Sequence, residues 1–198
     1  MHADGFSLRS PQKSSDFQNS SFKKLLFALT GISALFFIVS LILLFCYESE
    51  LYFTLSITFG VTFYHFAIRL IIGYFTDKIF SGKTDPNSKW FSQKNFEHKL
   101  YKKLKVRKWK DFVPTFDPKQ FDIGSRTFAE IADSMCVAEL CHEIIILFAL
   151  LPILLIIPFG SPAVFIITSF ASSAIDLIFV IIQRYNRQRI LRLIKRKA

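Results

Sequence analysis

Cysteine is scarce in this sequence, which contains only Cys46, Cys136 and Cys141 among its 198 residues. These three form no C-x-x-C pair, and each lies in or beside an apolar stretch. An odd number of cysteines at such spacings argues against a disulfide framework and against a zinc site. We interpret them as packing or membrane-facing thiols, and we expect no metal and no cofactor.

Charge is absent or nearly absent from four long stretches, although the chain as a whole is 20% charged. Hydrophobic residues make up 52% of the chain, 24 residues are Phe, and the mean hydropathy is +0.37. A helix of about 20 apolar residues crosses the roughly 30 Å hydrocarbon core of a bilayer. The sequence therefore predicts an all-α integral membrane protein with four transmembrane helices. The predicted spans are Leu25–Cys46, Leu51–Phe75, Ser134–Phe159 and Ala163–Gln183, and Pro152 predicts a kink in the third.

The remaining segments are polar. Residues 1–24 predict a disordered cytoplasmic tail, and no small-residue cleavage site of a signal peptide follows the first apolar block. The membrane domain extends over residues 25–183 and includes a long cytoplasmic loop, residues 77–133. Within that loop, residues 90–110 mix aromatic residues with lysines and predict an interfacial amphipathic segment between the second and third spans. Residues 184–198 form a basic cytoplasmic tail.

Basic residues are distributed very unevenly about the four spans. Residues 1–24, 77–133 and 184–198 hold 4, 13 and 7 of the 25 lysines and arginines, whereas the turns on the opposite side hold none. The positive-inside rule then places both termini and the long loop in the cytoplasm of a multi-pass cell-membrane protein. Because the formal net charge of +10 flanks apolar blocks, it indicates a lipid bilayer as partner, and we expect no nucleic-acid partner.

Ionisable residues from three spans fall at one depth, about 10 Å inside the cytoplasmic end of each span. Such groups are costly in lipid unless they pair, face the bundle or contact water. We expect Arg69 to offset one of the acids and a polar pocket to form here. A buried ion-pair network that only sets helix packing is the alternative. The residues are Arg69, Glu139, His142, Glu143 and Asp176.

Glu139 and His142 are three residues apart and share a helix face. A carboxylate beside an imidazole can orient it as a general base for a hydroxyl. Glu-x-x-His also occurs in di-iron bundles, which need a second such motif that this chain lacks. His65 is deeper and isolated, and we interpret it as a packing or hydrogen-bonding residue.

Two cationic runs flank the predicted cytoplasmic mouth of the pocket. Each suits membrane anchoring, and each could also bind the phosphates of a nucleotide-bearing substrate or a lipid head. The first is Arg107, Lys108, Trp109 and Lys110, and the second is Gln183, Arg184, Tyr185, Asn186 and Arg187.

Three motifs occur in a characteristic order: V-R-K-W-K at 106–110, A-E-L-C-H at 138–142 and Q-R-Y-N-R-Q-R at 183–189. With the apolar blocks between them, they resemble the glycosyl-diaponeurosporenoate acyltransferases, over about residues 90–192. The resemblance implies a membrane acyltransferase that esterifies a sugar hydroxyl of a glycosylated carotenoid with a fatty acid. The first part of the chain, with His65 and Arg69, does not match the family, so the acceptor is open.

The leading hypothesis is O-acyl transfer to a hydroxyl of a glycosylated lipid or carotenoid at the cytoplasmic leaflet. His142 is the expected base and Glu139 its orienting carboxylate. The two cationic runs are expected to bind the head of acyl-CoA or another acyl thioester donor. The alternative is a non-enzymatic membrane scaffold or lipid-binding partner subunit, and a transporter is a weaker third possibility because no inverted repeat is visible.

Overall fold

The computed structural model describes residues 12–197 of the chain, with side chains from Phe22 to Arg196. Its regular structure is entirely helical over these described residues. Four helices in that range are long and apolar enough to cross a membrane: Phe22–Tyr47, Glu50–Phe80, Phe128–Phe159 and Pro162–Arg196. The predicted all-α class and the four potential spans are confirmed. The first eleven residues of the predicted tail lie outside the described residues.

The helices extend further than the apolar blocks. Helix α1 is Gln12–Tyr47 and so begins within the predicted tail 1–24, and α2 is Glu50–Phe80. In the loop, α3 is Asn95–Lys103 and α4 is Val106–Trp109, followed by 3-10 turns at Lys110–Phe112 and Pro118–Phe121. Helix α5 is Phe128–Ala149, α6 is Ile156–Phe159 and α7 is Pro162–Lys197.

The third span changes character near its middle. Helix α5 ends at Ala149, and a 3-10 turn, Leu151–Leu155, connects it to α6. Pro152 lies at the start of that turn, where a backbone N–H would have no partner within the turn, so proline is tolerated there. The predicted kink therefore coincides with a change of helix type.

The fourth span continues as one helix to Lys197, and the last residue of the predicted basic tail 184–198 lies outside the described residues. Residues 184–197 are good helix formers, and their apolar members pack against the start of α5. A small apolar cluster results, with Ile131, Ala132, Met135 and Ile190 at its centre. The start of α5 and the end of α7 are thus held together by apolar contacts.

Helices α2, α5 and α7 pack on one another, and α1 packs along α2. Small residues allow close approach: a Cβ added to Gly60 of α2 would lie 2.9 Å from Phe37 Cε2 of α1. Large apolar side chains face outward, such as Phe45 and Ile157, which are 83% and 87% exposed. An outward apolar surface of this kind fits a lipid environment.

A carboxylate at the start of α5 fastens the chain that leaves α2. Asp133 accepts hydrogen bonds from the backbone N–H groups of Gly82, at 2.7 Å, and Thr84, at 3.0 Å. Helix α5 itself begins with a capping box, in which Thr127 and Glu130 satisfy each other's backbone N–H groups.

Asp133→Ala is expected to lower the free energy of unfolding by about 1–3 kcal/mol, because the backbone N–H groups of Gly82 and Thr84 lose their acceptor. The measurement is the melting temperature of the detergent-solubilised protein. Asp85→Ala is the matched control, since the Asp85 carboxylate accepts a local hydrogen bond from the Asn87 N–H within its own turn. Equal shifts in the two variants would contradict this role for Asp133.

Candidate active site

Asp176 of α7 joins three of the helices that are long and apolar enough to cross a membrane. Its side chain is 1% exposed, and its two oxygens have different partners. Oδ2 accepts from Arg69 Nη2 of α2 at 2.6 Å, and Oδ1 is 2.8 Å from His142 Nδ1 of α5. The expectation that Arg69 offsets one of the acids is confirmed, and the acid is Asp176.

Arg69 is held by several acceptors besides Asp176. Its Nη1 donates to the backbone carbonyl of His65 at 2.6 Å. Its Nη2 donates to Ser172 Oγ at 2.8 Å and to the Ser172 carbonyl at 3.2 Å. A guanidinium satisfied in this way balances the buried Asp176 carboxylate and fixes its position.

His142 is held in one orientation by two contacts. Its ring stacks on Phe179 of α7 with centroids 4.6 Å apart and planes 8° apart, while Nδ1 contacts Asp176. Among the described residues, no hydrogen-bond partner occupies Nε2. With Nδ1–H donating to Asp176, the lone pair of the neutral ring is on Nε2. The side chain is 21% exposed, so that lone pair can act on a substrate hydroxyl.

Glu139 is not the hydrogen-bond partner of His142, contrary to the expected pairing: the His142 ring nitrogen Nδ1 is bonded to Asp176. Glu139 is fully buried and accepts from two arginines of α7: Arg184 Nη1 at 2.9 Å and Arg187 Nη1 in a very close contact. Side chains on a helix lean toward its N-terminus, which for α5 is the end toward Arg184 and Arg187. This lean directs the Glu139 carboxylate toward the two arginines.

The same two arginines fasten the start of the long loop to the bundle. Arg187 is fully buried, donates to the Phe91 carbonyl at 2.7 Å and lies 4.9 Å over the Phe91 ring. Arg184 donates to the carbonyls of Trp90 and Ser92, each at 3.3 Å, and pairs with Glu97 at 3.0 Å. Arg184 and Arg187, which the sequence predicted to bind phosphate, are thus both bonded to protein groups. Of these two side chains only Arg184 is partly exposed, at 15%.

Glu143 follows His142 on α5 and contacts the loop. Its Oε2 accepts from Trp90 Nε1 at 2.9 Å, and its Oε1 is 3.8 Å from Arg184 Nη1. Sequence reasoning missed the roles of Trp90, Phe91 and Glu97. No spacing pattern signals these contacts, because loop residues carry no helical periodicity linking them to α5 or α7.

Other predicted residues lie around these groups. Tyr185 packs edge-on against Tyr101 at 5.6 Å, and the Tyr101 hydroxyl donates to Glu97 at 2.8 Å. Burial and this bond to a carboxylate raise the pKa of Tyr101, so its phenol stays protonated. Gln183 and Asn186 are half-buried on α7.

The first cationic run, residues 107–110, lies apart from the arginine cluster, which consists of Arg184 and Arg187 with Glu139. Arg107 and Lys108 are exposed on α4. Trp109 Nε1 donates to the Leu104 carbonyl at 2.8 Å, and Lys110 pairs closely with Asp111. Within the described part of the chain, none of these four residues bonds to the polar groups of α5 or α7.

Some buried side-chain atoms of the described residues have no hydrogen-bond partner. They are both ring nitrogens of His65, the Oγ atoms of Ser169 and Ser173, and Nε of Arg187. The His65 ring is instead edge-on to Tyr64 at 5.6 Å, as expected for a packing residue. Over the residues that the structure describes, no three His, Cys, Asp or Glu side chains group closely enough to hold a metal ion.

Glu139→Gln is expected to destabilise the fold by about 3–5 kcal/mol, because two buried guanidinium groups lose their shared counter-charge. Thermal unfolding in detergent measures the loss. Glu143→Gln is the control: its side chain is 24% exposed, and an amide oxygen can still accept from Trp90. A Glu139→Gln protein as stable as Glu143→Gln would rule out the anchoring role.

A protein-family model matches the second half of this chain. The family model described as glycosyl-4,4'-diaponeurosporenoate acyltransferase matches residues 87–196, more than half of the chain. No curated protein and no solved structure matches the chain significantly. The matched region contains Trp90, Glu139, His142, Asp176 and Arg187 and leaves out α1 and α2. The chain therefore belongs to the glycosyl-4,4'-diaponeurosporenoate acyltransferase family.

Proposed function

We propose that this acyltransferase moves a fatty acyl group from a thioester donor to a hydroxyl of a glycosylated lipid or carotenoid at the cytoplasmic leaflet. The observation that carries the proposal is the His142–Asp176 contact, which leaves Nε2 unpartnered among the described residues. The family name supports a glycosylated acceptor. The apolar outer surface of the bundle suits an acceptor and an acyl chain that both arrive through lipid.

The proposed chemistry needs one base and one orienting acid. His142 Nε2 takes the proton of the acceptor hydroxyl as its oxygen attacks the thioester carbonyl. The C–S bond then breaks, the sulfur leaves as a thiol with the proton from the imidazolium, and the new ester remains. Asp176 orients the ring and stabilises its cationic form, a division of roles known from His–Asp pairs in hydrolases.

Arg69 has a positioning role in this scheme. It holds Asp176 through Oδ2 at 2.6 Å and leaves Oδ1 for His142. Glu139, first expected to orient His142, instead fastens the loop. The proposed pair for proton transfer is therefore His142 with Asp176.

His142→Ala is expected to lower kcat by about 10²–10⁴-fold, the usual contribution of a general base. The assay follows labelled acyl-CoA and membrane glycolipids with protein in lipid nanodiscs. His98→Ala is the control, because His98 is exposed on α3. Full turnover by both His142→Ala and His142→Gln would exclude His142 as the base.

The cytoplasmic placement of the loop rests on its charge and its exposed aromatic residues. We propose that residues 81–127 lie along the cytoplasmic membrane surface. Phe96, Phe112 and Phe116 are 63%, 84% and 43% exposed, beside many lysines. Aromatic rings and lysines together favour the headgroup region of an anionic leaflet.

Single cysteines test this placement in a background without the three native cysteines. In right-side-out vesicles, a membrane-impermeant maleimide should label Ser49→Cys and leave Lys83→Cys unlabelled until the vesicles are opened. Phe112→Cys should then react more slowly in opened vesicles than in detergent, because lipid covers it. Labelling of Lys83→Cys in sealed vesicles would reverse the topology, and equal Phe112→Cys rates would remove the interfacial position.

A further inference from the structure

We propose that an open cleft at the cytoplasmic end of the bundle binds the nucleotide-phosphate head of the acyl thioester donor. The cleft, called here the basic cleft, is lined by Lys89, Trp90, Lys94 and Arg184. This inference rests on the proposed function, since it gives the donor a binding site. It replaces the α4 cations, which the fold keeps apart from the arginine cluster.

The charge of the basic cleft suits phosphate. Lys89 and Lys94 are exposed, and neither has an acidic partner among the described residues. Lys94 Nζ donates to the Lys89 carbonyl at 2.8 Å, which holds the Lys94 ammonium over the turn that carries Lys89. Arg184 adds a guanidinium that Glu139 and Glu97 already hold in place. The two lysines without an acidic partner supply the positive charge of this opening, which favours a polyanionic ligand.

Trp90 distinguishes a nucleotide from a simple anionic lipid head. Its side chain is 62% exposed, yet its Nε1–H is bonded to Glu143 Oε2 at 2.9 Å. The ring is therefore presented to solvent in a fixed orientation. A flat aromatic face beside cations suits stacking with a purine, whereas a lipid phosphate gains little from it.

The basic cleft adjoins the reacting centre through two contacts. Trp90 is bonded to Glu143, which follows His142 directly on α5. Arg184 is bonded to Glu139, one turn before His142 on the same helix. A donor head in the basic cleft thus lies at the cytoplasmic mouth, and its flexible thioester arm can extend along α5 toward Nε2 of His142.

Trp90 fluorescence tests the inference directly. The chain has two Trp residues, so Trp109→Phe leaves Trp90 as the sole reporter. Coenzyme A and adenosine 3',5'-bisphosphate, titrated into protein in phosphatidylcholine nanodiscs, should quench it saturably. Lys89→Glu with Lys94→Glu should weaken the affinity at least about tenfold. Lys99→Glu with Lys102→Glu, an equal charge change at exposed positions of α3, should leave it unchanged.

Calorimetry with the unmodified chain repeats the coenzyme A titration without the Trp109 substitution. Absence of coenzyme A binding in both measurements would overturn the inference. Quenching by phosphatidylglycerol in the nanodiscs, with no response to coenzyme A, would assign the cleft to a lipid head and overturn it too. Coenzyme A carries no acyl group, so its binding to the His142→Ala protein can be measured separately from turnover. Retained coenzyme A affinity with lost turnover supports both proposals. Retained turnover in this variant contradicts the role of His142 as the base and leaves the basic cleft unaffected.

Discussion

The buried carboxylate of Glu139, held between Arg184 and Arg187, is the interaction on which the arrangement of the site depends. An unpaired charge there would cost several kcal/mol, so the two arginines and the acid must be satisfied together. Each arginine also donates from Nη2 to a backbone carbonyl of the long loop. One ion cluster thereby joins α5, α7 and the loop, and Trp90 of the loop lies beside α5 through its bond to Glu143.

Two carboxylates at neighbouring depths serve different purposes because their partners differ. Glu139 faces two guanidinium groups that also bind the protein backbone, so it is suited to anchoring. Asp176 faces one guanidinium on one oxygen and an imidazole on the other, and the far nitrogen of that imidazole is available for a proton. The difference follows from where each side chain points and not from how deeply it lies.

Hydropathy and charge counts were sufficient to predict the four potential spans, because apolar length and low charge are local properties. Depth along each span predicted that Arg69 would meet an acid, since three helices bring ionisable groups to one layer. The depth of a residue in its span does not determine how the helix is rotated about its own axis. For this reason the sequence predicted Glu139, and not Asp176, as the partner of His142. The loop contacts of Trp90 and Phe91 join residues about 50 to 100 positions apart in the chain, and no periodic pattern encodes them. The position of the α4 cations, Arg107 and Lys108, in the sequence likewise did not predict where they lie in the fold.

Helix α7 carries both Asp176, which contacts His142, and Arg187, which contacts Glu139, on one uninterrupted helix. Asp176 and Arg187 are eleven residues apart, which is close to three full turns, so both face α5. Adding or removing a single residue between them would rotate one of them by about 100° relative to the other. Substitutions at the lipid-facing positions of this stretch leave that relation intact, whereas a change in its length does not. The number of residues from Asp176 to Arg187 is thus as much a part of the site as the identity of either side chain.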